Sequence, residues 1–257
     1  MLQTNIVNYT IILNIYNLKN PFLTKMNHKY LKILCLIPAR DGSALKDKNI
    51  KNYKGKPLIF HTIYSALNSK FINRIIISTN SKKYKNLCIK KFKEKIEVPF
   101  LRPKSISGPF SRDYEWIKHC LLFLKKNENY IPDLIVHLRP TTPNRDKQVV
   151  DKAIKYFLKN YKKITSLRSA SEFAQPPEKM FKIVNGYFEG YFKNKKLVEY
   201  YNCPRQNFTK AFLPNGYIDI LKPNVILNSS LLHGNKILPY ITKQTNDIDN
   251  LDDFKKK

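Results

Sequence analysis

Several residue types and motifs are scarce or absent in this sequence. Glycine occurs only 7 times in 257 residues, where average usage of about 7% would give about 18. Each remaining glycine is therefore expected to hold a backbone conformation that other residues rarely adopt. Neither a Walker loop nor a Gly-x-Gly-x-x-Gly pattern occurs, which excludes the two best-known glycine-rich phosphate cradles.

Cysteine and histidine give no sign of a metal centre. The four cysteines are widely separated and include no Cys-x-x-Cys pair, and the five histidines show no metal-ligand spacing. This pattern favours reduced core thiols in a cytoplasmic protein over a disulfide or zinc framework.

Acidic residues are also scarce, with 19 Asp and Glu against 47 Lys and Arg and a formal net charge of +28. Such a charge suggests nucleic acid or an acidic surface as a partner. The lysines are, however, spread over the whole chain, and scattered lysine is usually a solvated face. We therefore expect no specific nucleic-acid partner.

No hydrophobic run is long enough to span a bilayer. Residues 6–16 are apolar but short and interrupted by asparagine, and no cationic region precedes them as in a signal peptide. We therefore expect no membrane partner. Met26 begins a segment at the usual distance upstream of a first strand. We expect residues 1–27, an over-called start, to lie outside the domain, and residues 28–257 to form a single domain.

The rest of the chain alternates apolar runs with amphipathic segments, which predicts an α/β fold with a parallel sheet. Strands are predicted at 33–37, 74–79, 98–101, 134–138, 164–167, 217–221 and 237–241, and helices at 58–68, 84–92, 149–158 and after Asp113, a predicted N-cap. Within residues 174–216 the pattern changes, and Asn185-Gly186 predicts the turn of a β-hairpin.

The chain is organised around the loop that follows the first predicted strand. After Pro38 come small residues and dispersed cations, namely Ala39, Arg40, Gly42, Ser43, Lys46, Lys48 and Asn49. Small residues let a backbone approach phosphates, and Arg40 and Lys48 supply positive charge. A solvated basic loop explains the same composition.

Two further groups of residues have the chemistry of a site. If Asp247-Ile248-Asp249 is extended, both carboxylates project to one side about 6 to 7 Å apart, close enough to share a hydrated Mg²⁺; a solvated turn is the alternative. Arg139 follows a predicted strand and offers a planar fork to a carboxylate, or it caps a rigid turn.

In order along the chain, these segments resemble the acylneuraminate cytidylyltransferases. That family's first strand ends in Ile-Pro-Ala-Arg-Gly-Gly-Ser-Lys, which is similar to Ile37-Pro38-Ala39-Arg40 with Gly42-Ser43. The later matches are Lys48-Asn49-Ile50, Gly55-Lys56-Pro57-Leu58, Leu101-Arg102-Pro103, Leu138-Arg139-Pro140-Thr141-Thr142-Pro143, Pro204-Arg205-Gln206, Pro214-Asn215-Gly216 and Asp247-Ile248-Asp249.

The resemblance implies a Rossmann-like nucleotidyltransferase sheet, mostly parallel, with helices on both faces and a small inserted hairpin region at 174–216 that supports a homodimer. It implies a cytoplasmic enzyme that transfers CMP from CTP to the anomeric hydroxyl of a nonulosonic acid, legionaminate-like or sialate-like, and releases pyrophosphate. Mg²⁺ is the implied cofactor.

The resemblance also implies roles for individual residues. The implied catalytic residues are Arg40, Lys48, Asp247 and Asp249, with the two aspartates as metal ligands. The implied nucleotide-binding residues are Ala39, Arg40, Gly42, Ser43, Lys46, Lys48, Asn49, Arg102 and Asp113. The implied sugar-acid residues are Arg139, Thr141, Arg205, Gln206 and Asn215.

Some positions depart from the family, and two other functions stay open. Asp41 replaces a small residue, and the loop is one residue short, which leaves Ala44 near the family's lysine; we expect Lys46 to replace that lysine. Activation of an eight-carbon keto-sugar acid is one alternative function. The other is a basic RNA-binding protein without enzymatic activity, although the aromatic-rich RNA motifs are missing.

Overall fold

The computed structural model describes residues 31–42, 45–192, 199–245 and 247–255. The segment 1–27, predicted to lie outside the domain, falls outside these described residues, as do the predicted site residue Ser43 and its neighbour Ala44.

A mostly parallel sheet organises the described chain. Its strands, in chain order, are β1 (Ile33–Pro38), β2 (Asn52–Tyr53), β3 (Lys56–Pro57), β4 (Arg74–Ser78), β5 (Leu134–His137), β6 (Ser166–Phe173), β7 (Phe181–Val184), β8 (Tyr187–Gly190), β9 (Ala211–Leu221) and β10 (Ile237–Ile241). Six of them form the central sheet in the order β10-β6-β9-β5-β1-β4. Strand β1 pairs in parallel with β4 and β5, and β6 with β10, whereas β9 runs antiparallel between β5 and β6. This confirms the predicted sheet.

The described helices follow the predicted ones closely. They are α1 (Leu58–Leu67), α2 (Lys82–Phe92), α3 (Asp113–Glu128), α4 (Val149–Asn160) and α5 (Pro223–Asn228). The predicted N-cap is wrong: Asp113 is the first helical residue, and Arg112 precedes it with its N–H bonded to Glu115 at 3.0 Å. None of the helices in the described ranges is both long and apolar enough to cross a bilayer.

Both faces of β1 are covered, as its continuous apolar run predicts. Leu34 and Leu36 pack in one cluster with Trp116, Ile117, Cys120, Leu121 and Leu124 of α3. The alternate residues Ile33, Cys35 and Ile37 are also fully buried. Helix α1 contacts both β1 and β4.

One predicted strand is absent from the described structure, and another has different bounds. Residues 98–101 form no strand; Glu97 makes a single parallel bridge to Ile76. The apolar pattern there reflects packing of Phe100 against α3, and Pro99 has no N–H for a ladder. The strand predicted at 164–167 is the longer β6, which continues to Phe173 along β9.

A β-hairpin lies between β6 and β9 in the chain, as predicted. Strands β7 and β8 pair antiparallel, and the turn residues Asn185 and Gly186 have φ angles of 51° and 85°. Positive φ at both positions is the geometry of a type I′ turn, which Asn-Gly favours. The opposed side chains of Ile183 and Phe188 are 71% and 76% exposed.

Candidate active site

Neighbouring polar groups bind the backbone at the start of the basic loop, in residues 39–41. Ala39 N donates to Ser78 O at 2.9 Å, and Asp41 N donates to Asn80 Oδ1 at 2.7 Å. From the far end of the loop, the buried Asn49 donates its side-chain amide to Arg40 O at 3.1 Å. The predicted nucleotide residue Asn49 therefore holds residues 39–41, together with Asn80, which the sequence analysis missed.

Of the cations in this loop, Lys48 is turned inward and Lys46 is not. Lys48 opens the short 3₁₀ turn Lys48–Ile50, and its side chain is only 11% exposed. Lys46 is exposed on a turn, and its side chain forms no hydrogen bond or ion pair with another described residue. Its replacement of the family's lysine stays a prediction.

The acidic turn lies directly beside the basic loop. Lys48 Nζ is 2.8 Å from Asp249 Oδ1. Between the two acids, the buried Ile248 packs with Tyr53 and Leu58, and its N–H donates to Thr141 O at 2.8 Å. Because Ile248 points inward and both neighbours are exposed, the two carboxylates lie on the outer side of an extended segment.

The chemistry of this turn fits a divalent cation. Partial desolvation, and then the negative charge of Asp249, raise the pKa of Asp247. Asp253 supports the turn by accepting hydrogen bonds from Asp249 N at 3.0 Å and Asn250 N at 3.1 Å. The described residues contain no group of three or more His, Cys, Asp or Glu that could hold a metal. Two carboxylates alone suit Mg²⁺, which usually keeps several waters and takes further oxygens from substrate phosphates.

Arg139 extends from the loop after β5 and is already paired with two acids. Its Nη2 is 2.5 Å from Asp113 Oδ2, and its Nη1 is 3.4 Å from the buried Asp219 Oδ2. Burial raises the pKa of Asp113, but the charges of His137 and Arg139 outweigh it and lower that pKa. A substrate carboxylate would therefore have to exchange with one of these acids or use the remaining donors of Arg139.

Arg102 and Asp113, both predicted to bind nucleotide, lie on either side of Trp116. The Arg102 guanidinium lies over the Trp116 ring at 4.9 Å and donates to Ser78 O at 2.7 Å. Trp116 Nε1 donates to Asp113 Oδ1 at 3.1 Å. Burial lowers the pKa of Arg102 to about 10, and nearby Arg40 adds to that effect. Two positive charges thus lie close together where β1 and β4 end.

Thr141 lies in the turn after β5, and Asn215 lies in β9, between Pro214 and Asp219, where the register of β9 against β6 shifts. Thr142 Oγ1 donates to Asn215 O at 3.3 Å, and Asn215 Nδ2 donates to Thr242 Oγ1 at 2.7 Å. Thr141 O accepts a hydrogen bond from Ile248 N at 2.8 Å, beside Asp247. The turn after β5 therefore contacts both the acidic turn, through Thr141, and Asn215 of β9, through Thr142.

Arg205 and Gln206 lie elsewhere. They line a cavity of about 490 Å³ at the end of β6, with Glu172, Phe173, Pro176, Phe208 and Lys210 among its other lining residues. In the described ranges no hydrogen bond or ion pair joins either residue to Arg139, Thr141 or Asn215. The structure therefore divides the predicted sugar-acid set into two places.

Arg145 was missed by the sequence analysis. It lies two residues after the Pro143 that ends the quoted motif, and its guanidinium donates to Arg139 O in the turn after β5 and to Gly216 O in β9. The sequence signal that could have identified Arg145 is its short distance from the motif.

A family model described as cytidylyltransferase matches residues 34–216. The chain is 31% identical over 183 residues to the pseudaminic acid cytidylyltransferase of Campylobacter jejuni, covering 71% of this chain and 75% of that protein. It is 28% identical over 229 residues to the N-acylneuraminate cytidylyltransferase of Escherichia coli, covering 87% of this chain and half of that protein. It is 32% identical over 142 residues to the CMP-N,N'-diacetyllegionaminic acid synthase of Legionella pneumophila, covering 55% of this chain and 60% of that protein.

Solved structures give the same fold. A CMP:2-keto-3-deoxy-manno-octonic acid synthetase, solved in complex with CTP, superposes with a TM-score of 0.59 at 16% identity, covering 85% of this chain and 93% of that one. At this identity, the likeness establishes the fold alone.

Proposed function

The chain belongs to the cytidylyltransferase family, and we propose on that basis that it transfers CMP from CTP to a nonulosonic acid and releases pyrophosphate. The observation that supports this most strongly is the 2.8 Å contact between Lys48 and Asp249. It joins a phosphate-type loop to an acidic turn at the carboxyl ends of parallel strands, where ligands bind in such sheets.

The reaction needs no protein nucleophile. The anomeric hydroxyl oxygen of the sugar acid forms a bond to the α-phosphorus of CTP, the bond from that phosphorus to the α,β-bridging oxygen breaks, and pyrophosphate leaves. The hydroxyl proton passes to water. Arg40 and Lys48 neutralise charge that develops on the phosphates and on the leaving pyrophosphate.

Enzymes of this family generally use a divalent metal, and Mg²⁺ is the ion that we propose here. Asp247 and Asp249 would hold it, and when bound it would neutralise phosphate charge and make the attacking hydroxyl more acidic. The alternating exposure of Asp247, Ile248 and Asp249 supports this role because it leaves both carboxylates on the outer side of the turn, where Asp249 contacts Lys48 of the loop.

We propose that the nucleotide lies along the loop that follows β1. Ala39, Gly42, Ser43 and Asn49 would form or shape the backbone cradle, with Lys46 and Lys48 as its cations. Arg102 and Asp113, beside Trp116, would meet the cytidine part of CTP. This assignment is supported by the proximity of Arg40 to Arg102, because the charge of Arg40 helps to lower the pKa of Arg102.

The sugar acid would lie against the turn that carries Arg139 and Thr141 and against Asn215 of β9, next to the acidic turn. Arg205 and Gln206, lining the separate cavity, would meet a more distant part of the same substrate, such as an acyl group. The amino-acid sequence at Arg139-Pro140-Thr141-Thr142-Pro143 and around Phe100 and Asn215 favours a legionaminate-like acid over sialate. The relatives named above act on pseudaminate, N-acylneuraminate and diacetyllegionaminate, so all three acids belong in the test.

We further propose that the protein is a homodimer that works in the cytoplasm. The exposed apolar side chains of β7 and β8 form a contiguous patch, and such patches mark interaction sites. The cysteines are unpaired, and burial raises the pKa of Cys88 and Cys120 to about 12, which is typical of inert thiols in a reducing compartment.

Pyrophosphate release from CTP with a panel of nonulosonic acids tests the proposal. An eight-carbon keto-sugar acid in the panel distinguishes the proposed function from the nearest alternative, activation of that acid. Turnover with the eight-carbon acid alone would favour that function, whereas sequence-selective RNA binding that survives 0.2 M salt would favour the non-enzymatic one.

A further inference from the structure

Arg145 lies between the turn after β5 and the middle of β9, and it binds the backbone of both segments. The side chain is partly buried, and desolvation lowers its pKa to about 10. Its guanidinium donates to Tyr217 O at 2.7 Å, Thr142 O at 2.6 Å, Arg139 O at 2.8 Å, Gly216 O at 3.4 Å and Thr62 Oγ1 at 3.0 Å.

All five of these acceptors are neutral oxygens. A desolvated arginine is usually paired with a carboxylate, and among the described residues none forms an ion pair with Arg145. The contacts therefore fix geometry. A guanidinium is a rigid planar fork with five N–H donors, whereas a lysine ammonium has three donors on a flexible stem.

We propose that Arg145 is a positioning residue that sets the sugar-acid half of the site; this inference rests on the proposed function. The turn that it holds carries Arg139 and Thr141, and the segment of β9 that it holds contains Asn215. By contrast, the loop after β1 is held by Asn49 and Asn80. Loss of Arg145 therefore acts on the sugar acid more than on CTP.

The packing of Gly216 shows how closely β9 approaches the turn after β5. A Cβ at Gly216 would lie 3.2 Å from Arg139 Cδ and 3.2 Å from Thr142 Oγ1. A small shift of β9 at Gly216 would therefore displace the Arg139 side chain. Arg145 donates hydrogen bonds to the backbone of both segments and opposes that shift.

Lys222, which directly follows the carboxyl end of β9, offers a matched control. Its Nζ donates to the carbonyl oxygens of Tyr161 at 2.6 Å and Ile164 at 2.7 Å. It follows Leu221, which pairs with Ser166 at the start of β6, so it lies at the amino ends of the parallel strands. Lys222→Met removes a comparable cation–carbonyl contact far from the proposed site.

Steady-state kinetics of Arg145→Lys, Arg145→Met and Lys222→Met test the inference. We expect both Arg145 variants to raise the KM for the sugar acid at least tenfold, with the KM for CTP changed less than twofold. Lys222→Met should lower the melting temperature and leave both KM values unchanged. Equal changes in the two KM values, or a fall in melting temperature alone for the Arg145 variants, would overturn the inference.

Amide hydrogen exchange provides a readout that does not depend on turnover. Arg145→Met should speed exchange in residues 138–145 and 213–218 beyond any change caused by Lys222→Met. Unchanged exchange in both segments rejects the positioning role. A wild-type protein that turns over no acid rejects the proposed function instead, and the exchange result then still decides whether Arg145 holds the two segments.

Discussion

Lys48 and Asp249 are 201 positions apart in sequence, yet Lys48 Nζ lies 2.8 Å from Asp249 Oδ1. The lysine is largely buried, whereas the aspartate is 65% exposed. The pair places the proposed phosphate cation and the proposed metal ligand at one point. A change of charge at either residue therefore changes the electrostatic environment of the other.

The first prediction concerns the acidic turn. Asp247→Asn or Asp249→Asn should lower turnover at least about a hundredfold, because each removes a charged ligand of the proposed metal. Both side chains are exposed, so circular dichroism should report an unchanged fold. Asp252→Asn is the matched control, since Asp252 is an exposed acid five residues from Asp247 that pairs with Lys255. Wild-type rates in either variant would remove that residue from the mechanism.

The second prediction concerns stability against pH. The native pKa of Asp247 is raised, so the native state holds more protons than the unfolded state between about pH 4 and that raised value. Stability from this group therefore falls as pH rises through that window. Asp247→Asn should melt at a higher temperature than wild type at pH 7, by less than about 4 °C because solvent screens the site, and the gain should vanish near pH 4.

Asp113→Asn should behave in the opposite sense. Neighbouring positive charges lower the native pKa of Asp113, so its stabilisation is present above about pH 4 and is lost as pH falls through the native pKa. The variant should therefore melt below wild type at pH 7 and approach it in acid. Identical pH dependence of the two variants would contradict both assignments.

The third prediction concerns the shortened loop. A charge-assisted contact is worth about 1.5 to 3 kcal/mol, which corresponds to roughly a tenfold to hundredfold change in rate. If Lys46 replaces the family's lysine, Lys46→Ala should lose activity to a degree comparable with Lys48→Ala, assayed at saturating and at limiting CTP. Wild-type kinetics for Lys46→Ala would leave Arg40, Lys48 and the metal as the charges on the phosphates.

The fourth prediction uses two glycines with positive φ. Alanine at either position costs about 1 to 2 kcal/mol of backbone strain. A Cβ at Gly55 has nothing within 4 Å, whereas one at Gly216 meets Arg139 and Thr142. Gly216→Ala should therefore raise the KM for the sugar acid severalfold, and Gly55→Ala should only lower the melting temperature. The same kinetic effect in both variants would show that strain, not contact with Arg139, is responsible.

The fifth prediction concerns the hairpin. Ile183 and Phe188 face each other across β7 and β8 and are largely exposed. Ile183→Glu with Phe188→Glu should convert a dimer to a monomer in light scattering, because charges would be buried at the interface. Leu122→Glu, at a 47% exposed apolar position on α3, is the control. A dimer that survives the double change would place the interface elsewhere.

Local patterns predicted much of this architecture. Adjacent residues alone determine the strand at residues 33–37 and the hairpin turn at Asn185-Gly186. The structure confirms both predictions. The partners of Arg139 could not be found that way, since Asp113 and Asp219 lie 26 and 80 positions from it. Arg145 was missed for the same reason: its acceptors are mostly backbone carbonyls, which have no residue signature.

The residues 98–101 show a different limit. Their apolar run predicts a strand, but Pro99 cannot donate to a ladder and Phe100 packs against α3. An apolar pattern records burial, and burial alone does not distinguish a strand from a packed loop.

Product analysis tests the central claim most directly. Wild-type protein incubated with CTP, Mg²⁺ and pseudaminate, legionaminate or sialate should yield the CMP-linked acid by mass spectrometry, together with an equal amount of pyrophosphate. Asp249→Asn should yield neither. Absence of any CMP-linked acid from folded wild-type protein across the panel, or pyrophosphate release that does not depend on the acid, would contradict the account.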